Sequence, residues 1–411
     1  MISSPGEELS RFAREEGVDA AAVVMPRAIT PLRDLATIVR LYRKLRACKP
    51  TIVHAHTPKG GLLGMIAACL ARIPVRIYHV HGLPFMTAAG IRRWILQTTE
   101  RISCALATRV LCVSPSVRDV VVANGLCSPG RIEVLMHGSI NGVDAVRRFD
   151  LAAHRASRVA TRTRLGIPEK AFVVGFVGRL VRDKGVAELC TAVRAVHADR
   201  PDLHALIVGD FETKDALPRD IVRELQTSAH VHFAGFDWNT PPLYAAMDLV
   251  ALPSWREGFP VVPLEAAAMG LPVVTTRVPG CIDAVEDTVT GTLIPVGDAV
   301  ALADAIRMYL DDPMLTARHG SAGRARVLRD FQPEQIWAEL ARVYNQLLQE
   351  RNIGTLKDCP DPGAGHSSAR VRAPDRIDDS LLFLGGEAAR AREADGTAEE
   401  ILGRSPSEPF C

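Results

Sequence analysis

Short apolar runs recur along the chain up to about residue 350, and each gives way to a turn rich in glycine or proline and then to a segment with helical spacing. Residues 51–56, Val75–Val80, 110–113, Phe172–Val177, Leu203–Val208, 248–254, 272–276 and Gly291–Ile294 are four to seven residues long and nearly all apolar. Such runs predict strands buried on both faces, as in a parallel sheet covered by helices. Between them, residues 31–48 repeat apolar side chains at Leu32, Leu35, Ile38, Val39, Tyr42 and Leu45. Residues 333–349 do so at Trp337, Leu340, Val343 and Leu347. Both spacings predict amphipathic helices. Strand, turn and helix alternate throughout, so the expected class is α/β with doubly wound parallel sheets.

The start departs from that pattern. A doubly wound domain opens on a strand, a glycine turn and a helix, whereas residues 1–18 read as a strand end, a turn and a helix. Roughly 25 residues of the usual first unit are expected to be missing, either because the start is set too far downstream or because the chain is truly shortened, in which case a central strand is gone. From about Arg351 the periodicity stops, and Gly, Pro, Ser, Arg and Asp dominate to Cys411 with one apolar patch, Leu381–Leu384. Residues 351–411 are therefore expected to form a disordered tail.

The 411 residues suit two to three domains. Aromatic content is 5% against 47% hydrophobic residues, so the cores must be aliphatic. The net charge of +2 is too small to argue for nucleic acid. It is unevenly spread: residues 1–144 carry 18 Lys/Arg against 10 Asp/Glu, a balance of +8, leaving about −6 for the rest. A basic first half suits an anionic acceptor or an anionic membrane surface. The nine cysteines show no C-x-x-C pair, which argues against a disulfide framework and for a reducing compartment. No apolar run is long enough to span a membrane, and residues 1–10 lack a signal-peptide core.

Candidate chemistry concentrates in residues 255–271, WREGFPVVPLEAAAMGL. A buried strand at 248–254 precedes it, and a helix is expected over 264–269 with Pro263 in its first turn and Gly270 past its end. Glu257 stands at the loop and Glu265 in the helix. Gly258 lets backbone approach closely, and the helix N-terminus suits an anion. Carboxylates beside an anion site fit a ligand that also carries hydroxyls, as a nucleotide sugar does. A second unit repeats the theme: Gly178-Arg179-Leu180 follows a strand and Lys184-Gly185 precedes a helix. Arg179 and Lys184 are expected to converge on one anion. In the first half, Thr57 with the amides of Gly60 and Gly61 is a third phosphate candidate, although the Walker spacing is absent. His54 and His56 point to one face of a strand, but no third metal ligand is evident nearby in sequence, so no metal-binding residue is assigned. His81 ends another strand, where open α/β sheets bind ligands.

The string E-G-F-P-x-x-x-L-E-A-x-A-x-G-x-P-V-V resembles the donor-binding signature of the retaining family 4 glycosyltransferases, and G-R-L-x-x-x-K-G resembles their diphosphate grip. The resemblance covers residues 1 to about 350 and implies a GT-B fold, two Rossmann-like domains facing across a cleft. It implies an acceptor-side domain over 1–145, a hinge over 146–170, a nucleotide-sugar domain over 171–332 and a return helix over 333–350 that braces the first domain. It also implies roles: Arg179, Lys184 and Gly178 at the diphosphate, Glu265 on the ribose, Glu257 with Gly258, Phe259 and Pro260 at the sugar, and His81 opposite. Asn141 lies in a run that resembles the interdomain junction, and Phe236 in a loop near the base. The strings HTPKGGLLG and YHVHGLPF look like members that build bacterial polysaccharide on lipid-linked diphosphates. The expected partners are a nucleoside diphosphate sugar, most simply a UDP-sugar, and a glycan or polyprenyl-diphosphate-linked acceptor. A cytoplasmic enzyme with peripheral contact to the inner face of the membrane follows from these. No D-x-D triplet occurs, so no obligatory metal or other cofactor is expected. Two rivals stay open: a nucleotide-sugar 2-epimerase on the same fold, and an inactive shortened paralogue that only binds sugar nucleotide.

Overall fold

The computed structural model describes residues 1–356 apart from Arg27, Ile29 and Lys214, together with the backbone of residues 381–384. Two parallel sheets carry the chain. The first is built from β1 (Ile2–Ser3), β2 (Ala21–Ala22), β3 (Ile52–His56), β4 (Val75–Val80), β5 (Arg109–Cys112) and β6 (Ile132–Val134). The second uses β7 (Phe172–Val177), β8 (Leu203–Val208), β9 (Val231–Gly235), β10 (Leu249–Leu252), β11 (Val273–Thr276) and β12 (Gly291–Ile294), in the order β12-β11-β10-β7-β8-β9. The order reverses beside β7 and β10, the switch point at which such sheets bind ligands beyond their carboxyl ends.

The run Leu381–Leu384 is a strand, β13, and not part of a structureless tail. It inserts between β1 and β3, giving the first sheet the order β2-β1-β13-β3-β4-β5-β6. It runs parallel to β3 with Leu382 beside Val53 and Leu384 beside Ala55, and Ile2 pairs with Leu384 on its other side. The slot expected to be empty is thus filled from the far end of the chain. A gap there would leave two rows of buried backbone donors and acceptors unmatched. The remaining residues of the expected tail from 357 onward lie outside the described residues.

Residues 146–170, expected as a hinge with one helix, hold two short helices, Leu151–His154 and Ser157–Arg164. They are anchored to the second domain: Arg158 and Arg162 both pair with Asp248, at 2.6 and 2.8 Å. The helix Pro333–Glu350 packs Ile336, Val343, Tyr344, Leu347 and Leu348 against Ile52, Val75, Ile77 and Leu111 of the first sheet. Among the described residues, no helix is long and apolar enough to cross a membrane.

Candidate functional site

Loops from the carboxyl ends of both sheets meet face to face. From the first sheet come His81-Gly82 after β4 and Ser114 after β5. From the second come Gly178-Arg179 after β7, Ser254–Gly258 after β10 and Gly280 after β11. The domains touch through backbone. A Cβ on Gly258 would lie 1.6 Å from the carbonyl oxygen of His81, so only glycine permits this approach. Ser114 Oγ donates to the Gly258 carbonyl at 3.0 Å, and the Gly280 amide donates to Ser116 Oγ at 2.7 Å.

Lys184 and Glu257 meet in this cleft. Lys184 Nζ lies 2.5 Å from Glu257 Oε1, and Ser254 Oγ donates to the same oxygen at 2.7 Å. Their side chains are 17% and 10% exposed, so water screens the pair only weakly. Local structure places Lys184. It ends a single tight turn, Arg182–Lys184, and Gly185 follows at φ 69°, where a Cβ would also strike the Pro253 carbonyl at 2.0 Å. The turn is latched to the loop after β10: the Trp255 amide donates to the Asp183 carbonyl at 2.8 Å, and Arg256 pairs with Asp183 at 2.8 Å. The two motifs that stand far apart in sequence are therefore one rigid unit.

Arg179 and Lys184 do not pair with a common carboxylate. Arg179 Nη1 pairs with Glu212 at 3.1 Å, so each cation faces its own carboxylate. Its buried Nε has no hydrogen-bond partner among the described residues and is a donor in hand for an anionic ligand. Glu265 accepts from the Tyr244 hydroxyl at 2.8 Å. Burial raises the Glu265 carboxyl above its ordinary range, and the Tyr244 hydrogen bond opposes that rise. The helix that carries Glu265 begins at Val262, two residues before the expected start, and spans seven residues.

Other expected site residues fall elsewhere. Gly60 and Gly61 lie inside the helix Pro58–Leu70 and not in a phosphate loop. The Gly60 amide is spent on Thr57 Oγ1 at 3.3 Å and the Gly61 amide on the Thr57 carbonyl at 2.7 Å. Gly61 instead admits the Tyr78 ring, which a Cβ would meet at 2.1 Å. Proline at the first helical position, Pro58, starts the helix earlier than the glycines suggest. Phe259 packs on Phe331 with ring centroids 5.6 Å apart and against Gly138, so it braces the interdomain contact, and Pro260 is buried. Asn141 is exposed in a bend. Phe236 is exposed and stands edge-on to Trp238 at 4.9 Å. Gly178 leads directly into Arg179 at the end of β7 and is half-buried. His81 reaches back into its own domain, with Nε2 2.8 Å from His56 Nδ1. Sequence reasoning missed Ser254, Tyr244, Glu212 and the Asp183–Arg256 latch. Only Ser254 left a signal, a hydroxyl three residues before Glu257.

Residues 157–326 match the family model described as glycosyl transferases group 1, and residues 2–138 match the glycosyl transferase 4-like domain. The capsular polysaccharide biosynthesis glycosyltransferase CapM of Staphylococcus aureus is 32% identical over 85% of this chain and 90% of that protein. The UDP-Gal:alpha-D-GlcNAc-diphosphoundecaprenol alpha-1,3-galactosyltransferase of Escherichia coli is 28% identical over 70% of this chain and 74% of its own length. Among solved structures, Anabaena Alr3699/HepE in complex with UDP-glucose is 25% identical with a TM-score of 0.67, covering 81% of this chain and 88% of that one.

Proposed function

The chain belongs to the group 1, 4-like glycosyltransferase family with its GT-B fold, and from that premise we propose that it moves a sugar from a UDP-sugar to a hydroxyl of a lipid-linked or growing glycan, with retention at the anomeric carbon. The observation that carries this reading is the Lys184–Glu257–Ser254 cluster, held in the cleft where Gly258 touches His81. The UDP-glucose bound by the Anabaena protein and the undecaprenyl-linked acceptor in the Escherichia coli protein's name support the donor and acceptor classes.

In the reaction the bond from the anomeric carbon to the diphosphate oxygen breaks, and a bond to the acceptor oxygen forms on the same face. The acceptor's proton passes to the leaving phosphate oxygen. Charge builds on the diphosphate as it departs. Arg179, through its unmatched Nε, and Lys184 oppose that charge, a contribution of several kcal/mol when donors are fixed beforehand. No divalent ion is required at the diphosphate, because these two cations take its place. Glu257 directs the lysine through one oxygen while its second oxygen meets sugar hydroxyls. Glu265, steadied by Tyr244, takes the ribose hydroxyls. His81 stands on the first-domain side of the cleft and meets the sugar once its ring turns from His56, and closure at Gly258 excludes water.

The test is incubation of the full chain with UDP-, GDP- and ADP-sugars and a polyprenyl-diphosphate-linked sugar. Mass spectrometry should detect the extended lipid with a UDP-sugar, and the anomeric proton coupling of the product should match that of the donor. An inverted linkage contradicts retention. Release of an isomerised free sugar without an acceptor assigns the chain to the epimerases.

A further inference from the structure

Four imidazoles stack on one face of the first sheet at its carboxyl end. In the parallel register of β3 and β4, His56 lies beside His79, with His54 two residues before the first and His81 two after the second. Ring centroids are 4.2 Å apart for His54 and His56, 5.3 Å for His54 and His79, and 5.5 Å for His56 and His79. One ligand nitrogen from each of His54, His56 and His79 lies within 4.8 Å of the others. Three nitrogens bound tetrahedrally to one zinc-like ion stand about 3.4 Å apart, so modest side-chain rotation closes the set.

His79 singles this cluster out. It is 2% exposed, and among the described residues neither of its ring nitrogens has a hydrogen-bond partner. A neutral imidazole carries one donor and one acceptor, and leaving both unmatched in an interior is unfavourable unless a ligand takes them up. The outer partners are also in place. His54 Nδ1 is 2.6 Å from the Tyr344 hydroxyl on the helix Pro333–Glu350, and His56 Nδ1 is 2.8 Å from His81 Nε2. Metal-bound imidazoles are commonly oriented in this way through the nitrogen that does not bind.

We propose that His54, His56 and His79 bind one divalent transition ion of the zinc class, with its fourth position open on the His56 side toward His81 and the cleft. The ion ties β3 to β4 and, through Tyr344, to the helix that returns from the second domain. The site is separate from the diphosphate grip and takes no part in bond breaking there.

The test uses the full chain stripped with a chelator and titrated with Co2+, followed by Zn2+ and thermal unfolding. The wild type should take up about one equivalent of cobalt, with the visible absorption of a four- or five-coordinate histidine site, and zinc should raise the melting temperature. His79→Gln and, separately, His54→Phe should weaken cobalt binding more than tenfold, since even loss of an outer-shell partner weakens a metal site by about 10- to 100-fold. His230→Gln, in the shallower group where His197 and His230 stack at 4.0 Å, should leave it unchanged. Absence of the cobalt absorption in the wild type overturns the proposal without any variant. So does binding that survives His79→Gln and disappears in His230→Gln.

Discussion

The backbone of Gly258 lies against the carbonyl of His81, so close that a Cβ on Gly258 would sit 1.6 Å from that oxygen. Gly258 belongs to the second domain and His81 to the first. The contact is a gauge of domain closure built from main chain, which cannot yield as a flexible side chain would. Gly258→Ala should therefore hold the cleft open. Turnover should fall on the order of 100-fold, the loss expected when reacting groups are misplaced by an ångström. Binding of the nucleotide to the second domain should change little. Small-angle scattering should report a larger radius of gyration for the variant than for Gly130→Ala, where the added methyl meets nothing within 4 Å. Equal radii and equal turnover would contradict the closure role.

The strand Leu381–Leu384 occupies the middle of the first sheet, bonded to β1 on one side and β3 on the other. Its amides should exchange with deuterium on the order of 100-fold more slowly than free peptide, as buried central strands do. A chain ending at residue 356 should show a lower melting temperature for the first domain, and Leu382→Pro should act in the same direction by removing a ladder donor. Exchange of residues 381–384 at the rate of an unstructured peptide would contradict the pairing.

Much of this was legible in sequence, and the misses share causes. Arg179, Lys184 and Glu257 stood out as candidates because each is a charge beside or next to a glycine turn after an apolar strand, and the structure brings Lys184 and Glu257 together. Their partners did not stand out. Which carboxylate faces Lys184 depends on the latch through Asp183 and Arg256, a contact across 73 residues that no local pattern carries. Gly60 and Gly61 misled because glycine serves close packing, here against Tyr78, as readily as it serves anion binding. The role of Leu381–Leu384 was hidden by its polar surroundings. A four-residue apolar run reads as noise until a vacant slot between two other strands is known. The histidine cluster shows the same limit, since His79 joins His54 and His56 only through strand register.

Glu100 offers a pH signature for the first domain. It is buried beneath Tyr78, whose hydroxyl donates to it at 2.7 Å. Burial raises its pKa from 4.5 to about 7, against the lowering effect of that hydrogen bond. The folded state thus holds this proton more tightly than the unfolded one. The stabilisation is fully present below pH 4.5 and is lost as pH rises through about 7, a change of about 3 kcal/mol. Glu100→Gln removes the titration. The stability of the wild type relative to this variant should fall by about that amount between pH 4.5 and pH 8 in calorimetric unfolding. A difference that does not vary with pH would contradict the assignment.

In the proposed donor grip, Lys184 is the cation that meets the diphosphate while Glu257 directs it. Calorimetric titration of Lys184→Ala with a UDP-sugar and with uridine tests this most directly, with circular dichroism confirming that the variant is folded. Loss of a charged hydrogen bond predicts binding of the UDP-sugar about 10- to 100-fold weaker, with uridine affinity within about threefold of the wild type because uridine carries no phosphate for Lys184 to meet. Equal losses for both ligands, or unchanged affinity for the UDP-sugar, would contradict the account.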